Sequence, residues 1–240
     1  MLVKVYAAAL QGIDATIVTI EVNSSRGIKF FLVGLPDSAV KESHERIISA
    51  LQVNGYRFPS RQIVVNMAPA DIRKEGSAYD LPLAIGILAS AGEVSEEKLS
   101  KYLIKGELSL DGSLQPIKGA LPIAISARAQ GYEGFILPKQ NAREAAIVNN
   151  LNVYGVENIK EVIEFFNGER ELEQTIVNTR EEFVKRFEDI TSAIQDMPYI
   201  CGYCFTQVTD VQQEINGLMD IERNFKVEPK RIKDINERRV

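Results

Sequence analysis

Three β-branched residues, Ile63, Val64 and Val65, run into the stretch NMAPADIRKEGSAYDLPL (66–83), and an apolar helix, LPLAIGILASA (81–91), leaves it. Strand and helix are held apart by a proline, several charges and one glycine, the composition of a strand-to-helix loop that carries a site. Loops of this build hold phosphates, present nucleophiles or make partner contacts. The residues decide which.

The 240 residues are 45% hydrophobic and 25% charged, enough for one large domain or two small ones. No run approaches the ~18 apolar residues of a membrane span. The opening MLVKVYAAAL reads as a first strand rather than a leader, so the expected location is the cytoplasm and no membrane partner is expected. Residues 1–173 carry 18 Lys and Arg against 21 Asp and Glu, and the remainder carries 10 against 12, so neither part has the net basic character of a free-standing nucleic-acid binder.

Taken in order, residues 3–9, 14–22 and 28–33 read as strands. Pro36 ends the third, and Asp37 or Ser38 caps a helix whose face is Val40, His44, Ile47, Ile48 and Leu51, stopped at Gly55. Residues 61–67 form the strand that enters the central loop. Two apolar runs, 102–110 and 114–117, flank Asp111-Gly112, a hairpin signal. Helices at 119–129, 141–149 and 158–166 then alternate with two short strands. The result is an α/β domain with a mixed sheet, closed by about residue 168.

Beyond a polar boundary, Thr179-x-x-Glu182 forms a capping box, and Phe183, Phe187, Ile190 and Ile194 line one helical face. Residues 199–205 read as a strand apolar on both sides, suited to the middle of a sheet, although the segment supplies no sheet for it. Cys201 and Cys204, spaced C-x-x-C, are expected to be two strand thiols. A zinc site needs four ligands, and the chain has one histidine, His44.

Three chemistries fail on the residues. A P-loop needs G-x-x-x-x-G-K-[ST], and the chain has no Gly-Lys dipeptide and no G-x-G-x-x-G. Ser-His-Asp catalysis would have to use His44, which sits on a helix among Glu42, Glu45 and Arg46. The acidic pairs Glu96/Glu97 and Glu169/Glu171 lack an apolar setting that would separate their pKa values.

The segments VGLPDSAVKESHERIISALQVNGYRFP, VVNMAPADIRKEGSAYDLPLAIGIL and KGELSLDGSLQPIKGALPIA resemble the N-terminal domain of the magnesium-chelatase-like AAA+ ATPases of the ComM/YifB type. The resemblance spans residues 1–170. It implies a Lon-protease-like fold and marks two signatures: Gly34, Pro36 and Asp37 at a strand-helix turn, and Lys74, Glu75, Gly76, Asp80 and Pro82 in the central loop. It also implies that ATP and Mg are handled by a following ATPase module, with no cofactor in this chain. A homo-oligomer is implied, hexameric in the family, together with DNA processing in natural transformation by the full-length protein. Lon-type proteases use a Ser/Lys dyad. The serine position, two residues after the glycine of the Lys74-Glu75-Gly76 turn, holds Ala78, and the lysine position, after Pro116-Ile117-Lys118-Gly119, holds Leu121. Neither is a nucleophile or a base. Ser77 and Lys118 would substitute only if the register slipped. Arg73 and Lys74 are candidate phosphate contacts, the alternative being a surface salt-bridged to Asp71 and Glu75.

Residues 179–237 resemble the C-terminal end of the catalytic barrel of glycoside hydrolase family 2, chiefly through GYCFTQVTDVQQEINGL. That implies a helix-strand-helix fragment of a (β/α)₈ barrel without the catalytic carboxylate pair, since Asp210 and Glu214 do not occupy the pair's positions. The expected organisation is therefore a Lon-like domain (1–172), a junction (173–178) and a barrel-end fragment (179–240). The expected function is that of a non-catalytic accessory domain of a ComM-like protein, truncated before its motor, the fused tail being the alternative source of a glycosidase reading.

Overall fold

The alternating residues at the start of the chain fold into a long antiparallel hairpin, β1 (Leu2–Gln11) and β2 (Asp14–Ser25), with Val5 opposite Ile20 and Val3 opposite Val22. Gly12 turns the corner at φ 64°. The period of two puts Val18, Ile20 and Val22 on one buried face. The computed structural model describes residues 1–205, 207–211 and 217–238. Two compact units result, Met1–Val177 and Asn178–Val240.

In the first unit, β3 (Phe30–Val33) and β4 (Gln62–Ala68) extend the hairpin on the β2 side. β4 is antiparallel to β2, and β3 lies parallel to β4 at the edge. On the β1 side, β5 (Tyr102–Ile104), β8 (Gly134–Pro138) and β9 (Asn152–Val156) follow in parallel. The seven-stranded order is β3-β4-β2-β1-β5-β8-β9, with a separate hairpin of β6 (Glu107–Leu108) and β7 (Leu114–Gln115). This is a mixed sheet with helices, the α/β architecture expected from the sequence.

The helix leaving the central loop, α3 (Asp80–Ala91), is buried from Asp80 to Ser90. Each of Leu81, Leu83, Ile85, Ile87 and Leu88 is wholly buried, worth about 1.5–3 kcal/mol apiece. A side chain at Gly86 would meet Val22 Cγ2 at 2.9 Å, so glycine lets α3 press onto the hairpin. α2 (Ser43–Val53) and α6 (Ile159–Phe166) complete this core through Ile47, Leu51, Val162 and Phe166. A second cluster joins α4 (Ala120–Ala129) and α5 (Lys139–Ala145) to Ala8, Leu103, Phe135, Leu137 and Val153.

Two local readings change. The helix expected after Asp37 is split into α1 (Ser38–Lys41) and α2 around Glu42. The run 102–110 is not continuous: β5 ends at Ile104, and Lys105 and Gly106 separate it from β6.

In the second unit, α7 (Thr179–Gln195) packs Val184 and Phe187 against Val227 and against Ile232 and Ile235 of α8 (Pro229–Asn236). The cap is Asn178, whose side chain accepts from Glu181 N at 3.2 Å, and Thr179 is already helical. Ile190, expected on the buried face, is exposed. Arg231 forks onto the Glu181 carboxylate at 2.5 and 2.9 Å. The helix-strand-helix reading needs correction. Residues 199–205 form no strand, Tyr199 is 81% exposed, and Cys201 and Cys204 are both exposed free thiols. A strand apolar on both faces needs neighbours on both edges to satisfy its backbone, and the described residues of this unit provide none. Glu214 lies outside the described residues. Among the described residues, no helix is long and apolar enough to cross a membrane.

Candidate functional site

The two signatures, 40 residues apart in sequence, form one structure. Lys74 N donates to Leu35 O at 3.1 Å, and Asp37 N donates to Lys74 O at 3.0 Å, so Pro36 and Lys74 pair as a parallel bridge. One oxygen of Asp37 caps α1 by accepting from Val40 N at 2.8 Å. The other accepts from Gly76 N at 3.0 Å. The geometry demands both glycines. Gly76 has φ 80°, and Gly34 has φ 99° with any Cβ placed 2.2 Å from Met67 O. Glu75 is exposed and sits 3.3 Å from Arg73. Pro82 is buried in the first turn of α3.

Lys74, a candidate phosphate contact, is placed inward rather than at the surface. It is wholly buried, its ammonium donates to the Pro69 carbonyl, and desolvation lowers its pKa against the opposing charge of Asp71. The carbonyl gives the ammonium its partner inside the loop, so the side chain holds the loop's shape. Of the two candidates, Arg73 alone is at the surface.

Asp80, the first residue of α3, is a tertiary tie. Its buried carboxylate accepts from Arg46 Nε at 2.6 Å, Arg46 Nη2 at 2.9 Å and Leu108 N at 3.2 Å. Arg46 also donates to Ala39 O at 2.8 Å. Asp80 therefore ties α1, α2, α3 and the β6 strand together. Burial pushes its pKa up to about 6, with Arg46 pulling the other way.

A cleft of about 780 Å³ opens beside this frame, lined by the 73–79 loop (Lys74 and its side chain excepted), Asp37, Lys105, Glu107 and the 116–118 segment. Ala78, at the serine position that the resemblance implies, lines it. Leu121 lies outside the lining, on α4, with its amide on Glu144. Ser77 and Lys118 both line the cleft, but among the described residues the Ser77 hydroxyl makes no hydrogen bond to a lysine. Among these residues, too, no three His, Cys, Asp or Glu side chains come together to hold a metal.

The cleft's inner wall holds a group the sequence reading passed over. Lys105, 5% exposed, donates from Nζ to Ala8 O at 2.7 Å and lies 3.3 Å over the Tyr79 ring. Carbonyl and ring favour the ammonium. Burial outweighs them and the charge of Asp80, pushing the pKa down to about 7. Burial also raises the Tyr79 phenol. The signal was there to read: one lysine in the middle of the apolar run YLIKGEL.

The fold is that of a Lon-like α/β domain, with Ala78 on the cleft and Leu121 outside its lining. Residues 20–141 match the family described as subunit ChlI of Mg-chelatase, half of the chain, and the protein belongs to that family. It is 41% identical over 169 residues to the competence protein ComM of Haemophilus influenzae, covering 70% of this chain and 33% of ComM. It is 37% identical over 230 residues to the uncharacterized protein YifB of Escherichia coli, covering 90% of this chain and 45% of YifB. A match of that length reaches past Val177 into the second unit. Lon protease 2 of Bacillus subtilis is 25% identical over 129 residues, 53% of this chain and 23% of the protease. The chain thus spans between a third and just under half the length of ComM and YifB.

Proposed function

We propose that this chain is a non-catalytic accessory domain of a ComM-like protein of the magnesium-chelatase family, acting in the cytoplasm on DNA processing together with the ATPase module the family carries. The observation that supports it is Ala78: the cleft persists, and the residue at the nucleophile position has no reactive atom. Mg-ATP does not fit the residues present. The lysine of the central loop is turned into Pro69 O, not toward an open cradle, and the chain has no Gly-Lys motif. Nucleotide and magnesium therefore belong to the ATPase module in this reading, as do the hexameric assembly and DNA engagement. The name of ComM as a competence protein agrees with a role in transformation.

A glycosidase role through the tail has no support in the described residues. Asp210 accepts from Gly217 N at 2.8 Å and pairs with Lys226 at 2.7 Å, which holds its pKa below the ordinary carboxylate range. It is a structural carboxylate. The YifB match also reaches beyond Val177 into this unit.

The test is a set of assays on the purified chain: ATP hydrolysis, cleavage of an unstructured protein substrate, turnover of a chromogenic β-galactoside, and labelling by a fluorophosphonate. All four are expected at background. Fluorophosphonate labelling of Ser77 would overturn the proposal, and ATP turnover above background would do so equally.

A further inference from the structure

We propose that Lys105 is a reactive amine that captures a small carbonyl compound bearing an anionic group, such as a 2-oxo acid, as an imine on the inner wall of the cleft. The site is separate in logic from the accessory role above and stands or falls on its own test.

Three features place it there. The first is position. Lys105 follows the last residue of β5, its backbone amide is bonded to Ile136 O at 3.0 Å, and its side chain lines a cleft large enough for a small metabolite. That bond holds the residue directly at the end of β5.

The second is the state of the nitrogen. Among the described residues Lys105 has no ion pair within bridging distance, and its acceptors are one carbonyl, Ala8 O, and the face of Tyr79. A neutral amine has two hydrogens and a lone pair. The carbonyl and the ring take the hydrogens, and the lone pair is left unshared. Burial lowers its pKa to about 7, so the neutral amine is far more accessible near neutral pH than in an ordinary lysine. Desolvated lysines are the amines that form Schiff bases.

The third is charge at the rim. Lys118 is exposed, lines the same cleft and, among the described residues, has no ion pair. The neighbouring charges are mostly committed: Arg73 to Glu75, and Asp37 to the amides of Val40 and Gly76. Glu107, half-buried on the wall, contributes to the charge sensed by Arg46. Lys118, on the same lining, is the cation proposed to receive the carboxylate.

The chemistry balances without a further reagent. The Nζ lone pair attacks the carbonyl carbon and forms the C–N bond. The nitrogen's proton passes to the oxygen, and the carbinolamine loses water to leave the imine. The reaction consumes one carbonyl compound and releases one water.

The experiment incubates the full chain at neutral pH with glyoxylate and cyanoborohydride, then measures modification at each lysine by peptide mass spectrometry. Cyanoborohydride supplies the hydride that fixes the imine as a secondary amine. Lys105 is expected to be modified about tenfold or more above exposed Lys41 and Lys101, and concentrated urea should erase the preference. Lys118→Gln should lower glyoxylate labelling of Lys105 severalfold while leaving labelling by neutral acetaldehyde unchanged. Labelling of Lys105 no greater than that of Lys41 in the native protein would overturn the site. Equal labelling by glyoxylate and acetaldehyde, or no effect of Lys118→Gln, would overturn the anionic ligand class.

Discussion

β4 and the segment 199–205 read alike in sequence: short, apolar and rich in β-branched or aromatic residues. Only one is a strand. β4 has β2 on one edge and β3 on the other, so every second residue, Ile63, Val65 and Met67, goes into the core. Among the described residues of their own unit, 199–205 have no strand beside them. They lie as coil, exposed from Tyr199 to Cys204, with Phe205 packed against Phe187 at 5.4 Å and Tyr203 OH near Thr191 Oγ1 at 3.3 Å. Strand propensity describes a residue's fit to a half-buried pleat. It does not make the pleat, and the neighbours decide.

The same contrast separates the carboxylates. Asp80 is buried at a junction of four elements, and Asp210 is part of a local turn. Arg46→Ala should therefore break the first unit and leave the second alone. The substitution strands a buried carboxylate, which costs about 3–5 kcal/mol. Two-probe chemical denaturation would follow each unit separately. The sign with pH is fixed by the raised pKa of Asp80, about 6. A carboxyl whose folded pKa is raised favours folding most when protonated, and that advantage disappears as pH rises through the folded value. The loss in Arg46→Ala should thus be largest well above about pH 6 and shrink below it. An equal loss at both ends would show that Arg46 acts through packing alone.

Much of the first unit was legible because its signals repeat across levels. Alternation in β1 and β2, the Asp37 cap, the Gly55 stop and the Asp111-Gly112 turn each point to the same layered fold. The position of Ala78 in the cleft followed from the family resemblance. What stayed hidden was tertiary. Nothing local says that Lys74 turns inward to a carbonyl five residues back, or that Arg46 on α2 reaches Asp80 on α3. Lys105 could have been suspected as a charge inside an apolar run, but its partners, Ala8 and Tyr79, come from a distant strand and from the loop. In the second unit the apolar run was equally clear and led to the wrong element, because the missing information was the absence of a neighbour.

Lys105 sharpens the comparison from the stabilising side. Replacing this buried lysine by methionine keeps the length of the side chain and removes the charge, so Lys105→Met should stabilise the first unit by about 1–2 kcal/mol near neutral pH. The gain depends on pH in a determined direction. A lysine whose folded pKa is depressed, here to about 7, penalises folding fully below that value and recovers as pH rises toward the unfolded value near 10.5. The advantage of methionine should then shrink above about pH 7, no more steeply than the roughly 1.36 kcal/mol per pH unit that one titrating group allows, and be gone or reversed by about pH 10. Thermal unfolding of both proteins between about pH 6 and pH 10 measures it, and a constant difference would place the Lys105 amine in contact with solvent.

The smallest effect belongs to the cysteines, and it tests the tail directly. Were 199–205 a central strand, Cys201 and Cys204 would point to opposite buried faces, and polar replacement of either would leave a hole and an unpaired hydroxyl, at about 1–3 kcal/mol. As exposed coil they have no packing to lose. Cys201→Ser and Cys204→Ser should each change stability by no more than about 0.5 kcal/mol. Both thiols of the native protein should react with a disulfide reagent within severalfold of their rate in the unfolded chain. A protected thiol, slowed by orders of magnitude in the native state, would show that this segment finds a sheet after all, supplied by a partner outside its own unit.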